Sequence, residues 1–518
     1  VRLMRGSTLR HSLRHATLVA ALLLSGLGTG SAAEQRVEYR VCVDLARAPL
    51  VDVEMSLSGF EDEPIYLTIP LGYAYSNVES DHLEHLVAVD ENDQVIPPIY
   101  AEDRIYGWDR APDRVYYAIR MEHRLEVSNH AGSPRSLSLT FEHPYVDERR
   151  AFLIGSALFL IPDVWEADVR VRFQVPKGWS EVVPWPKEGD AYVPQSLNSL
   201  LSNYVGLGLW DIKTLEVEGF RALIAFGDRP AIDTGLMLQA FERILEQAIE
   251  VLGAPPHEEY LFFFPDAADV KGVSGSAKAD SMALAVEYGA PGADLPGVSR
   301  LFAHELVHLC GHGRQPMARD LLFFAEGFTE YYAYVLCSRA GVLSEGAVRR
   351  ILSELWSRLQ SLPSGLTLAD AQEEFFDEPR AASLCYIGGM FRGMAIDARM
   401  RAASGGERCL DDLVRHVYTE ALPPLTSPPQ EFTYADWRAA LAEWWPEAEP
   451  TVFDPGLKEP VPWDLSALLS AEAEDSERPP LYQYLRDPVG RAAAPRTRER
   501  RPEGAEREEP PVRDLQGL

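Results

Sequence analysis

Residues 304–308 read His-Glu-Leu-Val-His. In a strand, side chains four positions apart would stand about 13 Å from each other. On a helix they sit one turn apart on one face, close enough to ligate a single ion. The motif therefore predicts a helix here. Two protein ligands do not complete a catalytic zinc site, so it also requires a second element packed against that helix.

Glu305 follows the first imidazole and points toward the open coordination position, where it can take a proton from a water held there. Zinc at such a site lowers the pKa of its water to roughly 7. With 12 His in 518 residues, about 0.02 chance matches to the motif are expected in a chain of this length.

Three residues compete as third ligand. His312 would lie about 12 Å along a straight helix from His304 and could serve only if the helix breaks at Gly311. A metzincin pattern needs a third His where this chain has Arg314, which cannot bind zinc. Glu326, in Ala325-Glu326-Gly327-Phe328-Thr329-Glu330, falls on a following helix able to fold back, and two His with one Glu is an established catalytic set. We assign Glu326, giving one Zn²⁺ per chain on His304, His308 and Glu326. Glu330, one turn further on, is the carboxylate expected to orient a ligating imidazole.

Around this centre the chain divides by hydrophobic period. Residues 34–175 alternate apolar and polar, as in Tyr39–Val43, Ile65–Ile69, Leu137–Phe141 and Val169–Phe173, which predicts an antiparallel β-sandwich. Residues 176–450 read as strands and then helices: an α+β catalytic domain with a mainly helical C-terminal half. Asp233 or Thr234 starts a helix that Gly253 closes after Leu252. Tyr260–Phe264 and Met282–Val286 are buried strands, the second read as a sheet edge able to hold a peptide backbone. Asp294 caps the His-bearing helix, with Pro296 in its first turn. Further helices cover Leu321 to about Ala340 and Ala347–Leu362, and others begin near Ala382, Glu407 and Thr433. Residues 451–518, dense in Glu, Arg, Pro and Ala, read as a largely disordered tail.

Residues 1–33 carry four Arg, an apolar run Ala16–Leu27 and the small residues Ser31-Ala32-Ala33. These are the parts of a signal peptide, so export to the periplasm or beyond is expected, with no membrane span after its removal. The net charge of −30 argues against a nucleic-acid partner. Five Cys are too few for a disulfide scaffold and read as small buried residues.

The run from His304 to His308 followed by Phe324-Ala325-Glu326-Gly327-Phe328-Thr329-Glu330-Tyr331-Tyr332-Ala333 resembles the glycyl aminopeptidase family of gluzincins, thermolysin-like zinc peptidases with an N-terminal β domain. The similarity extends through Tyr386-Ile387-Gly388-Gly389 to Asp411-Asp412, spanning roughly 300–420. It implies a peptide or protein substrate, and makes Tyr386 the donor to the developing oxyanion, beside Glu305 as catalytic base. Two features depart from the family. The interval from His308 to Glu326 is short. Ala277 stands where the family has the Glu that anchors a substrate's free amine, with Asp280 the nearest alternative carboxylate. That loss leaves aminopeptidase and endopeptidase activity both open. It also motivates a rival reading, a non-catalytic exported binding protein on a peptidase scaffold.

Overall fold

The computed structural model describes residues 35–445 apart from 61–63, 70–82, 103–104, 122–143, 165, 228–229, 266–272, 288, 291, 312–316, 363–364, 376–377 and 423–430. The expected leader, the tail, the strand at Leu137–Phe141 and the candidate ligand His312 lie outside the described residues.

The N-terminal part is built of β-sheets, as the alternation predicts. Along Arg36–Val43 the buried residues are Val37, Tyr39, Val41 and Val43, and along the antiparallel partner Leu50–Ser58 they are Val51, Val53, Met55 and Leu57. A one-residue slip would expose these side chains, at about 1.5–3 kcal/mol for each large one, so the inner face fixes the register. Among the described residues this sheet has seven strands, and two four-stranded sheets share its apolar core. One pairing is parallel, Arg36–Val43 with Asp168–Gln174. The strand Arg150–Ile154 passes into a single helical turn, Gly155–Leu158.

Strands beyond residue 175 still belong to these sheets. Ser180–Val182 and Arg150–Ile154 both pair with Tyr204–Gly208, and Ala191–Tyr192 joins the seven-stranded sheet. We therefore place the division between the two parts near Leu209–Trp210 rather than at 175. The five-stranded sheet of the second part begins at Asp211.

That sheet runs in the order Asp211–Val217, Phe220–Phe226, Glu259–Phe264, Ser281–Val286, Val273–Ala277. Met282–Val286 is therefore interior, wholly buried between two neighbours, and the open edge is Val273–Ala277. The sequence reading had this reversed, because Val273–Ala277 is short and rich in small residues and carries little strand signal.

Two helices pack on this sheet. Thr234–Leu252 is capped by the Asp233 side chain and ends at Gly253, whose φ of 93° suits glycine. Leu295–Gly311 carries the paired His, and the Asp294 carboxylate accepts from Gly297 N–H at 2.9 Å in its first turn. Phe241 of one stacks on Phe302 of the other with ring centroids 4.0 Å apart.

The element after the His helix is not one regular α-helix. A short 3₁₀ turn, Arg319–Leu321, leads into a π-helical turn, Phe323–Phe328, and then an α-helix, Thr329–Arg339. A second π turn, Leu384–Gly388, precedes the helix Gly389–Ala403. Helices Glu345–Gln360, Leu368–Glu373, Pro379–Ser383, Leu410–His416 and Tyr434–Trp444, with a third π turn at Val417–Ala421, complete the described part, the last helix opened by a Thr433–Asp436 capping box. Four of the five Cys are buried, as small apolar residues would be. Among the described residues no helix is long and apolar enough to cross a membrane.

Candidate metal centre

His304 and His308 lie one turn apart on a helix that is almost wholly buried. Their Nε2 atoms approach to 3.1 Å. The π turn brings the Glu326 carboxylate to them, with Oε2 3.6 Å from His304 Nε2 and 3.5 Å from His308 Nε2. Ligands about 2.1 Å from a tetrahedral ion stand roughly 3.4 Å from one another. The two distances to Glu326 match a shared zinc better than direct hydrogen bonds, which are shorter, and the 3.1 Å between the imidazoles is a little below the tetrahedral edge.

Glu326 is buried, and among the described residues its Oε2 makes no hydrogen bond of ordinary length. A buried carboxylate oxygen left without a partner is costly unless a cation meets it. His304, His308 and Glu326 form the one group among the described residues whose ligand atoms converge as a metal site requires.

Glu330 orients this set. Its Oε2 lies 3.0 Å from His304 Nδ1. A carboxylate can only accept here, so Nδ1 carries a proton and Nε2, facing Glu326, is the nitrogen left to ligate an ion. Arg300 Nη1 donates to both oxygens of Glu330, at 2.9 and 2.8 Å. Burial works to raise the Glu330 pKa, but Arg300 and His304 outweigh it and bring it down to about 2. Burial likewise works to lower that of His304, yet Glu326 and Glu330 raise it to about 10. The pocket therefore favours positive charge at this point.

Glu305 sits on the other side, buried beneath the edge strand. Burial pushes its pKa up, while His308 and His304 hold it back. Lys278 N–H bonds back across the hairpin to Ser281 O, whereas Ala277 N–H turns outward and donates to the Glu305 carboxylate. By the alternation of an antiparallel pair, the N–H and C=O of Gly275 also face the open edge. A Cβ on Gly275 would meet Glu305 Oε1 at 2.5 Å, so only glycine allows this approach.

Tyr386, on the second π turn, has its ring 6.0 Å from that of His304 and 5.8 Å from that of Phe375. The two π turns meet through glycine: a Cβ on Gly327 would strike Cys385 O of the second turn at 2.8 Å and the backbone of Gly389, which follows it. Glu326 and Tyr386 thus stand on opposite sides of one backbone contact. π-helical turns are often found at functional sites.

The structure thus brings all six predicted residues together: His304, His308, Glu326, Glu305, Glu330 and Tyr386. It adds Arg300 and Gly275, which the sequence reading missed. Arg300 could have been found, because it lies one turn before His304 on the same helix face. Gly275 gave no signal, since its constraint comes from a helix distant in the fold. Asp280 does not face the cleft. Its Oδ2 accepts from Ser199 Oγ at 3.0 Å and Asn203 Nδ2 at 2.9 Å, both in the N-terminal part.

A family model described as M61 glycyl aminopeptidase matches residues 298–378, the segment holding both His and both Glu. Over this segment the chain is similar to the gluzincin-type zinc peptidases, with the His304, His308 and Glu326 triad in place. Its fold is similar to that of solved aminopeptidases. An aminopeptidase N family protein from Idiomarina loihiensis aligns with a TM-score of 0.64 at 16% identity, covering 84% of this chain and 75% of its own. An M1 zinc metallopeptidase from Deinococcus radiodurans aligns at 0.51 and 15% identity, covering 83% and 95%. A mutant of that metallopeptidase bound to a Tyr-Ser-Ala substrate aligns at 0.50 and 12% identity, covering 79% and 90%. Among curated proteins, none matches the sequence. The metal centre therefore sits in a two-part fold, N-terminal β-sheets followed by a helix-rich part, similar to the fold of these structures.

Proposed function

We propose that this chain hydrolyses peptide bonds with one zinc ion held by His304, His308 and Glu326, and that it does not require a free α-amino group on its substrate. The observation that carries the reading is the convergence of those three side chains with Glu305 buried beside them. Bound zinc would supply a Lewis acid to polarise the scissile carbonyl and acidify the attacking water. Glu305, its pKa raised by burial, accepts the water's proton and delivers it to the departing amine. Tyr386 donates a hydrogen bond to the oxyanion. Glu330 holds His304 in the ligating tautomer. The open edge at Gly275 receives the substrate backbone by strand addition.

Independence from a free amine is supported by two features: position 277 is alanine, and the Asp280 carboxylate is engaged elsewhere. The Deinococcus enzyme's tripeptide belongs to the substrate class proposed here. The basic, apolar and small-residue segments of residues 1–33 support export.

The test is a matched pair of peptide libraries, with free and acetylated N-termini, digested by the wild type and by Glu305→Gln. Similar kcat/KM on both libraries, lost in Glu305→Gln, is the expected result. A preference above about tenfold for free termini would restore aminopeptidase specificity, a discrimination that a dedicated charged contact readily supplies. Stoichiometric zinc without cleavage of either library would establish the binding protein instead.

A further inference from the structure

The edge strand over Glu305 continues into a hairpin turn, residues 278–280, before the strand resumes at Ser281. This turn is fastened to the N-terminal part by a network of hydrogen bonds. Asn203, fully buried, donates from Nδ2 to Asp280 Oδ2 at 2.9 Å, while its Oδ1 accepts from Asp280 N–H at 2.9 Å and from Ser281 Oγ at 2.8 Å. Ser199 Oγ lies 3.0 Å from the same Asp280 oxygen. Tyr204 N–H donates to Ser281 Oγ at 2.8 Å, and Ala279 N–H to Ser202 O at 3.0 Å. His257 Nδ1 approaches the other Asp280 oxygen, at 3.5 Å.

This density of side-chain contacts is unusual for a surface hairpin, which normally relies on its own turn geometry. The strand needs the help. Val273–Ala277 is five residues with no fully buried side chain, and among the described residues it pairs on one side only. Its sequence, Val-Ser-Gly-Ser-Ala, has little strand propensity. Yet Ala277 N–H holds the Glu305 carboxylate, and Gly275 sets how closely the strand approaches it. The fastened turn begins one residue after Ala277.

We propose that Asn203 and Asp280 are positioning residues for catalysis: by pinning the 278–280 turn they hold the edge strand against Glu305, so the N-terminal β-sheets form a working part of the peptidase site. The inference rests on Glu305 being the base. Asp280 acts here through the strand and touches neither substrate nor metal.

The experiment compares zinc-loaded full-length wild type, Asp280→Ala, Asp280→Asn and Glu305→Gln. The readouts are kcat and KM on one cleaved peptide, zinc content, and hydrogen exchange of the amides of 273–277. In Asp280→Ala we expect those amides to exchange faster and kcat to fall about 10- to 100-fold, the range that small misplacements of reacting groups produce. Zinc content should hold at the wild-type value. Asp280→Asn keeps a carbonyl oxygen for the same two donors and should recover most of both losses. Wild-type kcat in Asp280→Ala overturns the proposal, whatever happens to the melting temperature. So does a loss of kcat with unchanged exchange at 273–277. Should Asp280→Ala fail to fold, Ser199→Ala removes one donor from the same oxygen and is judged by the same two readouts. Full turnover in Glu305→Gln would refute the assignment of the base, and the exchange data would still decide whether Asp280 pins the strand.

Discussion

Gly275 and Glu305 are in contact across the active-site cleft: a side chain on one would overlap the carboxylate of the other, since a Cβ at Gly275 would lie 2.5 Å from Glu305 Oε1. The edge strand and the zinc-binding helix are thereby locked at one separation, and the buried carboxylate has little freedom to move. Gly275→Ala must displace either the strand or the carboxylate. We expect kcat to drop by about 10²-fold, as for a misplacement near 1 Å, with zinc content unchanged. Steady-state kinetics alongside metal analysis checks it. Wild-type kcat would mean that the strand yields without cost to catalysis.

The second prediction concerns Glu330, which bridges Arg300 and His304. Glu330→Gln removes the charge that fixes the imidazole, and zinc affinity should weaken about 10- to 100-fold. Competition with a chelator of known affinity measures it. An unchanged affinity would show that His304 is oriented by packing alone.

Metal removal separates ligands from the base. Zinc held by His304, His308 and Glu326 would bind the folded chain alone, so stripping it should lower the thermal midpoint, and restoring it at 1,000 times Kd should return about 4 kcal/mol of stability. Glu305→Gln should show the same zinc-dependent shift as wild type. Glu326→Ala should show almost none. Calorimetry with and without chelator reads all three, and a full shift in Glu326→Ala would displace that residue from the ligand set.

The contact between the two π turns gives a stability prediction. A methyl at Gly327 meets the Gly389 backbone, which no rotamer change can relieve, whereas one at Gly346 in the helix Glu345–Gln360 meets nothing within 4 Å. Gly327→Ala should therefore destabilise by at least about 1–3 kcal/mol, and Gly346→Ala should be neutral or slightly stabilising. Chemical denaturation of both variants tests the contrast. Equal effects would refute the close crossing.

Much of the site was legible in the sequence because its signals are local. The spacing of His304 and His308 demands a helix, Asp294 marks where it starts, and Glu326 and Glu330 fall one turn apart on the next element. The alternation through Arg36–Val43 and Leu50–Ser58 announced the β-sheets. Other features were misread for want of long-range information. Strand order was one, since nothing local distinguishes an interior strand from an edge, and so Met282–Val286 was taken for the edge. The boundary at 175 was another, since strands pair across it. Asp280 was a third, its direction set by Asn203, which lies 77 positions away.

The sequence by itself determined the chemistry this protein can attempt: the residue types and spacings that hold zinc and place a base beside it follow from helical geometry within short segments. Only the tertiary structure decided how those groups are aimed. Arg300 reaches Glu330, Gly275 admits Glu305, Gly327 meets Gly389, and Asn203 holds Asp280 across the join between sheets and peptidase part. Each of these depends on backbones far apart in the chain approaching closely, and close packing specifies such an approach only once the whole core has formed.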